Sequence, residues 1–127
     1  MKRVATLTVI GLVAFLLNAV MQSASARPAY PARLVEVTKN SKAADAIKEQ
    51  KCNACHHPKD KKKRNDFGQA VNKHITKDDF NNLKSEKDAL AKKVDEAIKA
   101  ALKEKSPSGK TFGELVEAGE VPAKSEE

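Results

Sequence analysis

The sequence predicts a small all-α domain. Apolar residues recur at the three- and four-residue spacing of a helix in several segments, and no segment of useful length alternates apolar and polar residues as a strand does. The chain has 127 residues with no Trp, one Tyr and four Phe. A domain this short with so few large side chains has a thin core, so something that supplements the core is expected. Length excludes nucleotide-binding α/β domains, barrels and multi-domain enzymes.

The first 26 residues are predicted to be a cleaved secretory signal peptide. Lys2 and Arg3 give a basic start, residues 10–17 form an apolar core, and the segment ends in a small-x-small pattern at Ala26. Cleavage after Ala26 would export the chain, and we expect a periplasmic protein.

An uncleaved membrane anchor is the alternative interpretation of this segment. Residues 4–21 are almost long enough to cross a bilayer, but Thr6, Thr8 and Asn18 interrupt them. No stable membrane anchor is expected after cleavage. The segment holds two basic and no acidic residues, so its removal lowers the net charge from +7 to +5.

The mature chain is expected to begin with an irregular arm over residues 27–40, because Pro28 and Pro31 interrupt it. Ser41 is a plausible N-cap for a first helix over residues 42–51. We expect one folded domain over residues 41–122 and a disordered acidic tail over residues 123–127.

A second helix is expected from Asn65 or Asp66, either of which can cap it. Four residues fall at i, i+3, i+4 and i+7 along it: Phe67, Ala70, Val71 and His74. This spacing places the imidazole of His74 on the apolar face.

Three further helices are expected. Thr76 and Asp79 resemble a capping box that opens a short helix. A long amphipathic helix is predicted over residues 86–104, and a last short helix over residues 112–118 is closed by Gly119. The apolar wall of the domain is expected to include Phe67, Val71, Leu90, Val94 and Ile98.

The most informative pattern is C-x-x-C-H, formed by Cys52, Cys55 and His56 at the end of a predicted helix. In an exported chain this is the pattern of c-type haem attachment. Two thiols three residues apart can form thioethers to both vinyl groups of one porphyrin, and the next residue places an imidazole under the iron. Cys52 and Cys55 are therefore the predicted attachment points of one haem c, and His56 its proximal iron ligand. The second ring nitrogen of His56 is expected to bind a backbone carbonyl.

Two other interpretations of the cysteines remain. They could form a disulfide, although the βαβ context of a thioredoxin-like motif is missing. They could bind zinc with two of His56, His57 and His74, although adjacent histidines lie too close to both thiolates for the usual separated ligand pairs.

This arrangement resembles the small monohaem cytochromes c, in which an N-terminal helix ends in C-x-x-C-H and a C-terminal helix packs across it. These two helices would be residues 42–51 and 86–104, within a cytochrome c-like haem domain over residues 41–122. The resemblance implies single-electron transfer rather than enzymatic catalysis. The family usually supplies a methionine as sixth iron ligand, but the only methionines here are Met1 and Met21, both in the signal segment.

His74 is the first candidate for the sixth ligand, because it is the only other histidine not adjacent to His56. Bis-histidine iron would have a lower potential than Met–His iron and would suit electron transfer. Alternatively, His74 lies at the C-terminal end of its helix and only favours the helix dipole or caps carbonyls there. The sixth position would then hold a lysine amine or stay vacant, since His57 is tethered too close to reach the opposite face. A vacant position would make the chain a five-coordinate haem protein that binds or senses nitric oxide, carbon monoxide or peroxide.

The basic loop that follows the motif runs from Lys59 to Arg64 and lacks apolar periodicity, so we expect it to be solvated. It should lie near the haem edge, where it could steer an acidic redox partner. Nucleic-acid binding is not expected, since export and the mixed charges elsewhere argue against it.

Overall fold

The computed structural model describes residues 29–122, and within them six α-helices and one 3₁₀ turn account for the regular structure. The helices are α1 Ala29–Thr38, α2 Ala44–Gln50, α3 Asp66–His74, α4 Lys77–Leu83, α5 Lys87–Leu102 and α6 Phe112–Glu117, and the 3₁₀ turn is Lys51–Ala54. In the described part of the chain, strand pairing is limited to two isolated bridges. The all-α prediction is confirmed. The signal segment, the acidic tail and both methionines lie outside the described residues.

Helix α1 corrects the expectation of an irregular arm over residues 27–40. Pro31 is the third residue of α1, where its missing N–H is one that the first helical turn leaves unpaired anyway. Leu34 is 1% exposed, so α1 belongs to the core.

The start of α2 also differs from the prediction. The helix begins at Ala44, its N-cap Ala43 makes no side-chain capping hydrogen bond, and Ser41 is not the cap. The Ser41 hydroxyl instead donates to the carbonyl of Thr38 at 2.7 Å. Ser41 therefore closes the end of α1 rather than the start of α2.

The other helix starts are set by side-chain caps. Asn65 caps α3 by accepting a hydrogen bond from the Gly68 N–H, as predicted. Thr76 and Asp79 form the predicted capping box of α4. Thr111 and Glu114 form a second capping box at the start of α6. The sequence analysis did not predict this one.

Helix α5 is the centre of the fold and packs mainly against α3 and α1. The resemblance to cytochromes c implies that the helix over residues 42–51 packs across the long helix. In this structure α1 packs against α5 instead. The five residues predicted for the apolar wall are all buried: Phe67, Val71, Leu90, Val94 and Ile98. Phe67 contacts Phe112 edge to face, with ring centroids 5.3 Å apart, which joins α6 to the same core.

An ion pair fixes α1 on α5. Arg33 Nε donates to Asp95 Oδ1 at 2.6 Å, and Arg33 Nη2 contacts the second carboxylate oxygen. Two contacts fix the orientation of the guanidinium relative to the carboxylate, which makes this pair more specific than one with a single contact. Both side chains remain partly exposed, so burial of the neighbouring apolar residues contributes more stability.

The chain after α5 reverses tightly before α6. Residues Lys105 and Thr111 form an isolated bridge, and Gly109 sits at the turn with φ of 85°. A positive φ of this size favours glycine. Within residues 29–122 no helix combines the length and apolar character needed to cross a bilayer.

Ile98 provides a test of the core. The side chain is 2% exposed, and Ile98→Ala should lower the free energy of unfolding by about 2–5 kcal/mol through lost burial and the cavity left behind. Urea denaturation followed by circular dichroism measures this change. Lys99→Ala, on the exposed side of α5, is the matched control and should change stability by less than about 0.5 kcal/mol. Equal losses in the two variants would contradict the assigned core.

Candidate functional site

The two cysteines lie on a single tight turn. Lys51 adopts φ of 50° and ψ of −118°, which turns the chain sharply at the end of α2. This conformation is that of the first central residue in a type II′ turn, where glycine is usual. The N–H groups of Cys55 and His56 then both donate to the carbonyl of Cys52, at 3.3 and 3.0 Å. The motif is thus a defined turn, with the two thiols three residues apart and His56 directly after.

The two thiols have different surroundings. Cys52 is exposed, whereas Cys55 is partly buried. Burial, and to a lesser extent the neighbouring Cys52, raise the pKa of the Cys55 thiol to about 12 against an opposing effect of Arg64. A thiol with this pKa is protonated at neutral pH.

His56 and His57 follow in an extended segment beside the basic loop. His56 and Arg64 form an isolated antiparallel β-bridge, and the His57 N–H donates to the carbonyl of Lys63 at 3.0 Å. The Nδ1 atoms of both rings are buried and have no hydrogen-bond partner among the described residues. The carbonyl partner expected for the second ring nitrogen of His56 is therefore not found in this part of the chain. Two unpaired polar atoms this close to one motif are unusual in a folded protein.

Helix α3 begins directly against the motif. The carbonyl oxygen of Cys55 would lie 2.0 Å from a Cβ atom built on Gly68, so a side chain at residue 68 would push the helix off the motif. Asn65 is 3% exposed and lies at the same contact. The sequence pattern predicts Asn65 only as a helix cap, and it gives no signal for the role of Gly68.

His74 is placed differently from the prediction. Its side chain is 37% exposed, and its Nε2 lies 2.7 Å from Glu104 Oε1. The expectation of an apolar environment is wrong because α3 ends at His74, and the next residue, Ile75, is the one buried at 1% exposure. His74 lies six residues beyond Gly68, about 9 Å along the helix from the contact with Cys55.

Glu104 also binds a second residue of α3. Lys73 Nζ donates to Glu104 Oε2 at 2.7 Å. The bond from Lys73 is the main cause that holds the pKa of the Glu104 carboxyl below its ordinary value; burial opposes it, and the bond from His74 adds a smaller lowering effect. One carboxylate thus holds the end of α3 to the segment that follows α5.

The basic loop is confirmed as an irregular, solvated segment next to the motif. Five cationic residues have exposed side chains there: Lys59, Lys61, Lys62, Lys63 and Arg64. The loop turns on Asp60, whose carboxylate accepts from the Lys62 N–H at 2.9 Å. Lys61 Nζ contacts the side-chain oxygen of Asn53, so the positive charge extends onto the motif itself.

A cavity of about 530 Å³ lies between the start of α3 and the segment around α6. Its polar wall includes His57 and Arg64, and its apolar wall includes Phe112, Leu115 and Val121. None of the three motif residues lines it. Among residues 29–122, no three or more His, Cys, Asp or Glu side chains come together in a group that could hold a metal ion.

Comparison with protein-family models, with curated proteins and with solved structures finds no match to this chain.

The Glu104 contacts predict a pH dependence of stability. Because the folded-state pKa of this carboxyl is lowered from 4.5, its contribution is present above that pH and is lost as the pH falls through the folded-state pKa. We expect Glu104→Gln to lower the free energy of unfolding at pH 7 by at most about 1 kcal/mol, because the ion pairs are exposed.

Urea denaturation of the wild type and the Glu104→Gln variant at several pH values measures this effect. The difference between them should disappear at low pH, where the wild-type carboxyl is also neutral. Glu96→Gln, on the exposed face of α5, is the control. Its difference in unfolding free energy from the wild type should not change with pH in this way. A difference between wild type and Glu104→Gln that persists at pH 2 would contradict the ionic origin.

Proposed function

We propose that this chain is an exported c-type cytochrome that transfers single electrons through one covalently attached haem. The observation that carries the proposal is the geometry of the Cys52 turn, in which two free thiols three residues apart are followed at once by His56.

The residues of the motif fit a haem group. Cys52 and Cys55 would hold it by thioether bonds, and the His56 imidazole would bind its iron. The fit rests on the two free thiols, which share one turn with the imidazole that follows them directly. When bound, haem c supplies one-electron oxidation and reduction at iron.

The chain's own residues hold and shield the site. The backbone of Cys55 lies against Gly68, and its partly buried side chain packs on the apolar core. Asn65 N–H donates to the Cys55 carbonyl at 3.1 Å and keeps that turn on α3. A rigid attachment limits the reorganisation that accompanies each electron transfer, because the ligand position is fixed beforehand.

The basic loop supports a transient acidic redox partner in the periplasm. Residues 59–64 project four lysines and one arginine into solvent directly beside the motif. Charges in such a position raise the rate of encounter with an acidic surface and are screened by salt. Weak, salt-sensitive docking allows the partner to leave after the electron has moved.

A second function is favoured by the position of His74. Its Nε2 is bound to Glu104 at the surface, and the iron would then keep an open sixth position. A five-coordinate haem protein of this kind would bind nitric oxide, carbon monoxide or peroxide rather than serve only as a carrier.

Removal of the thiols tests haem attachment. We expect the wild type, matured in a host that makes c-type cytochromes, to retain haem through acid–acetone extraction. The double variant Cys52→Ala/Cys55→Ala should lose all covalent haem because no thioether can form. Intact-protein mass spectrometry measures the bound fraction, and His57→Ala is the control that keeps both thiols and His56. A colourless wild type would contradict the proposal. Zinc binding or a disulfide would then be the remaining interpretations of the motif.

Optical spectra separate the two functions. Since His74 is bound to Glu104 in the structure, we expect carbon monoxide to shift the reduced spectrum of the wild type and of His74→Ala alike. The opposite result is a low-spin wild-type spectrum that ignores carbon monoxide and becomes high-spin in His74→Ala. That result would show that His74 leaves Glu104 and binds the iron, and it would favour the six-coordinate carrier.

A further inference from the structure

We propose that Asn65 is the positioning residue of the attachment motif, holding three consecutive carbonyl groups of the Cys52 turn in the conformation that haem attachment requires. The inference rests on the proposed function and adds to it a residue outside C-x-x-C-H.

The side chain of Asn65 binds the motif directly. Its Nδ2 donates to the carbonyl of Asn53 at 3.1 Å and to that of Ala54 at 3.2 Å. Its backbone N–H donates to the carbonyl of Cys55 at 3.1 Å. One residue thus satisfies three successive acceptors of the turn. Since Asn65 is 3% exposed, water does not readily replace these bonds.

The other end of the same carboxamide caps α3. Asn65 Oδ1 accepts from the Gly68 N–H at 2.8 Å. The oxygen faces a donor and the nitrogen faces two acceptors, so the orientation of the group is fixed by its partners. An N-cap alone could equally be Asp or Ser. Only Asn among the usual capping residues also supplies the two side-chain donors that the motif uses.

Gly68 makes this arrangement possible. The close approach of residue 68 to the Cys55 carbonyl leaves no room for a Cβ atom. The first turn of α3 can therefore lie near enough for Asn65 to reach back to Asn53. Asn65 and Gly68 together set the distance between α3 and the turn. The positions of Cys55 and His56 depend on this distance.

Two variants separate positioning from capping. Asn65→Asp keeps the size and the capping oxygen but removes the Nδ2 donors and sets a carboxylate against two carbonyls. Asn65→Ser keeps a good N-cap and removes the donors without adding charge. Thr76→Ala is the matched control, because it removes the cap of α4, whose capping box is separate from the motif.

The measurements are covalent haem occupancy by intact-protein mass spectrometry, the optical spectrum of the loaded fraction, and thermal unfolding. We expect Asn65→Asp to lower occupancy by about tenfold, and Asn65→Ser to lower it several-fold and to alter the spectrum of the chains that do load. Thr76→Ala should load fully with an unchanged spectrum although it loses stability.

Full loading and an unchanged spectrum in both Asn65 variants would overturn the inference and leave Asn65 as a helix cap only. If Asn65→Asp does not fold, Asn65→Ser decides by the same criteria. Reduced loading of Thr76→Ala to the same extent would also overturn it, because the effect would then follow general stability. A wild type that carries no haem would instead refute the proposed function, and with it this role.

Discussion

The contact between the first turn of α3 and the Cys52 turn is the constraint on which the site depends. Gly68 allows the helix backbone to approach the Cys55 carbonyl, and Asn65 occupies the space between them with bonds in both directions. The same helix packs its buried face on α5. The position of the motif is therefore set by the core, since any shift of α3 on α5 would be passed to the turn through this contact.

Residues with a local signal were predictable from sequence. The caps at Asn65 and Thr76 were predictable because capping depends on a side chain and an N–H only three residues away. The stripe of α5 was predictable because its period is set by the helix alone. The position of the motif at the end of a helix was predictable for a similar reason, whereas the turn that opens with the positive φ of Lys51 was not predicted.

The predictions that failed depended on contacts between distant segments. Prolines near residue 30 indicated an irregular arm, yet Leu34 in the same segment is buried among residues far along the chain. His74 was assigned to the apolar face by its spacing from Phe67, but spacing does not reveal that α3 stops there. The reach of Asn65 to Asn53 and the closeness of Gly68 to Cys55 depend on how the segment from the motif to α3 folds back, and no periodicity records that.

Helix α3 bears on both the attachment motif and the proposed sixth ligand. Its first turn contacts the motif, and its last residue is His74. The Glu104 pair does not by itself keep His74 in place, since an exposed ion pair is worth at most about 1 kcal/mol. Ile75 is the stronger restraint. It is 1% exposed, and burial of such a side chain contributes about 1.5–3 kcal/mol. For His74 to bind an iron held by His56, it would have to leave Glu104, and a shift of the end of α3 would disturb the buried Ile75. The proposed coordination would therefore depend less on the imidazole than on the apolar residue next to it.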